Sequence, residues 1–182
     1  VEWGQLDYLV IDFPPGTSDE PLAVAQSLPD IDGMVIVTTP QQVALLDSRK
    51  SITFSESLKV PVLGVVENMS GFTVNGSTAP GTQVSIAAPG GKTLSATADE
   101  EGNFSVKLDI FKEGGGKDTA EEFGVPFLGA LPFDPGFVRG GDDGVHRIVS
   151  EPDGASAQAF AKVVAAIQDQ LSDGADGGLE IV

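Results

Sequence analysis

The sequence predicts an α/β fold: a mainly parallel sheet flanked by helices and interrupted by a small antiparallel β insert. Apolar runs alternate with helix-like stretches between residues 6 and 68. At 73–109 the pattern changes to short alternating segments rich in Gly, Thr, Ser, Pro and Asn. The first rhythm resumes from 110 to 171.

LDYLVID (6–12) is short, apolar and ends in an acid, the pattern of a buried strand. PPGTSDEP (14–21) breaks any helix running through it, and 20–28 is weakly helical. GMVIVTT (33–39) reads as a second strand, closed by Pro40. Residues 41–58 read as a helix with Val43, Leu45, Leu46, Ile52 and Phe54 as core positions. VPVLGVVEN (60–68) is a third strand. Strand, helix, strand, helix, strand in this order favours parallel pairing.

QVSIAA (83–88), TLSATA (93–98) and NFSVKL (103–108) alternate like half-exposed strands, with turn signals at PGG (89–91) and DEEG (99–102). A helix near 115–123, a strand at VPFLGAL (125–131) and a short helix after Asp134-Pro135 follow. The last helix, about 154–171, carries a stripe of Ala157, Phe160, Ala161, Val164, Ile167 and Leu171. The Gly/Asp-rich 172–182 reads as a disordered tail. Trp3, Phe127 and Phe133 are expected in the core.

The chain of 182 residues is long enough for one domain with a small insert. Its net charge of −17 argues against nucleic acid or an anionic membrane as partner, since both need clustered Lys and Arg. Having no cysteine excludes disulfides, zinc ribbons, thiol catalysis and cysteine-held iron–sulfur clusters within these residues. A single histidine, His146, excludes a multi-histidine metal site. No apolar run reaches the ~18 residues of a membrane span. The opening VEWGQLDYLV lacks the basic start of a signal peptide.

LVIDFPPGTSD (9–19) is the segment richest in chemistry. An apolar strand ending in Asp12 has the form of a Walker B element, whose carboxylate holds Mg²⁺ directly or through water. Two prolines make the following turn rigid, Gly16 lets backbone approach a phosphate, and Thr17 and Asp19 can bind a metal or water. The same residues also suit a turn after a core strand with a helix-capping Asp. Asp134, Asp142 and Asp143 admit either a cation site or a solvated acidic loop, and Arg139 and Arg147 could meet phosphates, with surface ion pairs the default among so many acids.

LDYLVIDFPPGTSDEP, MVIVTTPQQVALLDSRKS, VPVLGVVENMSGF, IFKEGGGKDTAEEFGVPFLGALPFDP and EPDGASAQAFAKV resemble the Mrp/ApbC family of MinD-like P-loop ATPases that carry iron–sulfur clusters. The resemblance covers 1–72 and 110–171, leaving 73–109 as the insert. It implies ATP and Mg as cofactors, ATP hydrolysis, iron–sulfur acceptor proteins and a homodimer as partners, and a cytoplasmic location. It makes Asp12 the catalytic Walker B acid near Mg²⁺, and Pro14, Pro15, Gly16, Thr17 and Asp19 a loop that senses the γ-phosphate. Asn68 would hydrogen-bond the adenine edge, which suits an amide offering donor and acceptor. Pro132, beside Leu131, would pack near the ring. Read without the resemblance, Asn68 also suits a strand-end turn.

Two departures accompany the resemblance. The family's glycine-rich loop ending in Lys and Ser/Thr belongs ahead of residue 1, and these residues contain no copy of it. GGGK (114–117) and PGGKT (89–93) lack the GxxxxGK[ST] spacing. Alone, these residues should bind ATP poorly and hydrolyse it negligibly. After NMSGF, where the family carries Cys-x-x-Cys, the insert stands instead. Its APGTQV, ATAD and GNFSV phrases resemble a bacterial Ig-like repeat. A non-catalytic scaffold that uses this insert as its contact surface is the alternative function.

Overall fold

The computed structural model describes residues 2–13, 19–28 and 31–176. Its body is a parallel sheet of β1 (Met34–Thr38), β2 (Val62–Glu67) and β7 (Phe127–Ala130) in the order β1-β2-β7. Val65 opposes Ile36 on one side and Phe127 on the other. β2 is the central strand, and Gly64 through Glu67 are all buried, which is why its sequence is a continuous apolar run.

Successive side chains of β2 enter opposite layers. Val65 packs with Ile36, Ile52 and Ala120 beneath α2 (Gln42–Leu58) and α3 (Gly115–Phe123). Val66 packs with Leu128, Leu131 and Val163 beneath α6 (Ala155–Asp176). The expected helix-flanked parallel sheet is therefore present, built on three strands among the described residues.

Several expected details differ. LDYLVID forms no strand: residues 6–12 pair with no ladder among the described residues, and Val10 is 90% exposed. A strand pattern gives potential only; burial needs a neighbouring strand, and β1 pairs with β2 alone among the described strands. Trp3 is exposed with this segment rather than in the core. α1 (Asp19–Ser27) starts inside the Pro-rich stretch, with Pro21 in its first turn, where the missing N–H costs nothing.

In α2 the inward face is Leu45, Ser48, Ile52 and Ser55, while Val43 and Leu46 are exposed. The two serines can be buried because their hydroxyls donate to the Ala44 and Val60 carbonyls. In α6 the inward face includes Val163, and Ala161 and Val164 are exposed, a rotation by about one residue. α6 also continues to Asp176, so 172–176 is helix rather than tail; 177–182 lie outside the described residues.

The insert holds the three expected strands, β4 (Gln83–Ala88), β5 (Lys92–Thr97) and β6 (Asn103–Leu108). A fourth, β3 (Phe72–Ser77), was not expected from FTVNGS. β3 pairs antiparallel with β6, and β4 with β5 across the PGG turn. The base of the insert meets the body at Phe133, which takes edge-on contacts from Phe72 and Phe111. Two short helices, α4 (Gly136–Asp143) and α5 (Arg147–Ser150), join β7 to α6.

Candidate functional site

The carboxyl ends of β2 and β7 lie side by side, the place where open parallel sheets bind ligands. Backbone hydrogen bonds carry the pairing beyond the strands. The Asn68 N–H donates to the Thr38 carbonyl (2.7 Å), the Leu131 N–H to the Glu67 carbonyl (2.8 Å) and the Ser70 N–H to the Leu131 carbonyl (2.9 Å). The Phe133 N–H donates to the Gly71 carbonyl (2.8 Å). Residues 67–71 and 131–133 thus form one stitched edge, which carries both Asn68 and Pro132.

Asn68 is half-buried, and its Oδ1 accepts the Met69 N–H at 2.9 Å. That bond orients the side-chain amide at a turn where Met69 takes a left-handed backbone, φ 57°. The amide is thereby both a turn former and a polar group with donors left for a ligand. Pro132 lines an open cleft of about 460 Å³, together with Glu67, Ser70, Lys107, Glu113 and Lys117. Lys107 belongs to β6, so the insert contributes to the cleft wall.

Sequence reasoning missed Glu67, which organises the edge. It is 1% exposed, and its carboxylate accepts from Ser70 Oγ (2.6 Å), Gly114 N–H (3.0 Å) and Gly116 N–H (2.7 Å). The last two are free donors at the start of α3, whose own N-cap residue, Gly114, has no capping side chain. A carboxylate there also complements the helix dipole.

The glycine run follows from this closeness. A Cβ on Gly116 would lie 2.9 Å from Glu67 Cβ, and one on Gly115 would lie 2.7 Å from Leu45 Cδ1. GGGK is thus a helix start docked on the sheet, in keeping with its failure to match a phosphate loop. The available signal was an acid ending an apolar strand, with a glycine-rich helix start later in the chain.

Asp12 lies exposed on the segment that precedes the sheet. No hydrogen bond or ion pair among the described residues links it to Asn68 or Pro132. Pro14, Pro15, Gly16 and Thr17 lie outside the described residues, and Asp19 is the first residue of α1. Among the described residues no group of three or more acids and histidines is placed to hold a metal ion. Asp134, one candidate for a cation site, instead receives Arg147. Arg147 also pairs with Glu151, so its ion-pair reading holds.

Residues 1–100 and 93–168 match the protein family described as ParA: NUBPL iron-transfer P-loop NTPase. The chain belongs to this family. The iron–sulfur cluster carrier protein of Methanocaldococcus jannaschii is 39% identical over 171 residues, 94% of this chain and 49% of that protein. The protein of the same description from Synechocystis is 39% identical over 172 residues, 94% of this chain and 41% of that protein. The chain thus spans about half the length of the curated relatives it matches. A nucleotide-binding protein in complex with ADP from Archaeoglobus fulgidus aligns with 33% identity and a TM-score of 0.48, over 75% of this chain and 45% of that one. This NUBPL-family chain has no helix, among its described residues, long and apolar enough to cross a membrane.

Proposed function

We propose that the chain is the carboxyl-terminal part of a cytoplasmic, ATP-binding iron–sulfur cluster carrier ATPase, and that it supplies the base-recognising edge of the nucleotide site. The observation that carries this is the stitched edge at the ends of β2 and β7, on which Asn68 and Pro132 both lie, in a member of an NTPase family. Asn68 offers an amide to the purine edge, and Pro132 an apolar surface to the ring. Asp12 is an exposed hard-oxygen donor, chemically suited to Mg²⁺ through water. Bound there, Mg²⁺ would neutralise phosphate charge. Residues 14–17 and Asp19 are proposed as the loop that meets the γ-phosphate. Residues 1–72 and 110–171 form the ATPase portion of this reading, and 73–109 the insert.

The cluster is the carrier's cargo, and acceptor proteins and a second copy of the carrier are its proposed partners. Without cysteine, this chain brings no thiolate to the cargo, so the ligands must come from elsewhere. The same lack of thiolates favours a second reading, a scaffold that works through the insert.

Titrating the chain with ADP separates the readings. The proposal expects weak, saturable binding that Asn68→Ala weakens about tenfold, the worth of one or two hydrogen bonds. Binding unaffected by Asn68→Ala would overturn the assignment, and no binding at all would favour the scaffold.

A further inference from the structure

The stitched edge is held by a second carboxylate on the side away from Glu67. Asp134 follows Pro132 and Phe133 directly. Its Oδ1 accepts the Gly136 N–H at 2.7 Å, at the start of α4. Its Oδ2 accepts from Ser156 Oγ of α6 at 2.7 Å and from Arg147 Nε of α5 at 3.2 Å. One side chain, 17% exposed, therefore ties three helices to the residues that follow the cleft wall.

The space between Asp134, Gly136 and Arg147 is tight. A Cβ on Gly136 would lie 2.9 Å from Asp134 Oδ1 and would collide with the Arg147 guanidinium. Arg147 is itself held from behind by Glu151, one helical turn on. Glu67 shows the same arrangement at the opposite flank, a carboxylate on three donors. Between the two carboxylates run Asn68–Gly71 and Leu131–Phe133, joined by backbone hydrogen bonds.

We infer that Asp134 is a positioning residue for the base-recognising edge: it anchors the Pro132–Phe133 strip to α4, α5 and α6 so that the strip stays stitched to Asn68–Gly71. The inference rests on the nucleotide reading for its ligand and on the hydrogen-bond network for its mechanics. Asp134 touches no ligand itself. It acts by restricting the strip, so its loss loosens the edge before ligand arrives, and ligand must then supply the ordering.

Amide hydrogen exchange and ADP affinity are measured together on the chain, Asp134→Asn, Asp134→Ala and Ser156→Ala, with Arg49→Met as a control in the distant α2–α3 ion pair. Asp134→Asn keeps an acceptor for Gly136 but loses the charge that attracts Arg147. Ser156→Ala removes one donor and leaves the carboxylate in place, so it tests the claim even if Asp134→Ala fails to fold. The expected result is faster exchange at Ser70, Leu131 and Phe133, with Val65 in the central strand unchanged. ADP affinity should fall about tenfold in Asp134→Ala and less in the other two, the scale of one or two hydrogen bonds to a charged group. Arg49→Met should leave both readouts unchanged.

Unchanged exchange along the strip would overturn the inference. So would a loosened strip with undiminished affinity, since a purely structural tie gives that pattern. If the unmodified chain binds no ADP, the nucleotide reading falls, and exchange alone decides whether Asp134 positions the strip.

Discussion

Glu67 and Asp134 show what single residues contribute. Glu67 satisfies two backbone donors and a hydroxyl in a buried place. Glutamine there accepts through one oxygen only and turns an amide nitrogen toward a backbone N–H. Glu67→Gln should therefore cost about 2 kcal/mol, the scale of an orphaned buried donor, read from urea unfolding. A change under about 0.5 kcal/mol, typical of a surface substitution, would mean the cap is dispensable.

Burial raises the pKa of Asp134, but bonds from Ser156, Gly136 and Arg147 outweigh it and hold the group below its ordinary 3.8. A carboxylate with a depressed folded pKa stabilises the fold above its unfolded pKa, and that contribution disappears as pH falls through the folded value. Unfolding free energy measured from pH 6 downward should fall below about pH 4, and Asp134→Asn should lack this component. An identical acid limb in the variant would contradict the network.

The reach of sequence reasoning at this scale was uneven. Asn68 and Pro132 were singled out, and both lie on the stitched edge at the ends of β2 and β7. Glu67 was passed over because its partners, Gly114 and Gly116, are backbone groups 47 and 49 residues away. Side-chain pattern does not register backbone donors.

At the scale of elements, periodicity located the helices and central strands, because burial on both faces leaves an unmistakable apolar run at 62–66. It misjudged which side of a helix faces inward where serine replaces an apolar residue, as at Ser48 and Ser55 of α2. It failed for LDYLVID because a strand depends on its neighbour as much as on itself. β3 escaped notice because Gly76 and Asn75 mask its alternation, although Gly76 leaves room for Phe104, 2.5 Å from where a Cβ would stand.

Ile52 of α2 is fully buried between the helix layer and β1. Ile52→Ala should cost about 3 kcal/mol in chemical denaturation, against near-neutral Val43→Ala on the exposed side. Equal costs would place the inward face elsewhere.

The insert is tested by joining Phe72 to Ile110 through a short Gly/Ser linker. Closing a loop of different length changes stability by only about 0.6 kcal/mol per doubling. The body should stay folded, with Val65 still protected from exchange. Loss of that protection would show that the insert is part of the core rather than a unit set on Phe133.

For the whole molecule, 27 acids against 10 bases impose self-repulsion that salt screens. The midpoint of thermal unfolding should rise with sodium chloride; a flat response would mean that ion pairs such as Arg49–Glu122 outweigh the excess charge. The cargo chemistry is equally a property of the whole chain. Without thiolates it should retain no stoichiometric cluster after anaerobic reconstitution with iron and sulfide.

The central claim, that the ends of β2 and β7 form the edge that meets a nucleotide base, is tested most directly by mapping ADP on the chain with amide NMR, at concentrations up to about 10 mM to reach weak binding. The account predicts saturable shifts in the Asn68 side-chain amide and at Ser70, Leu131 and Phe133, with 92–97 of the insert unmoved. Shifts that spare Asn68 and gather elsewhere, or no saturable shift at all, would contradict it.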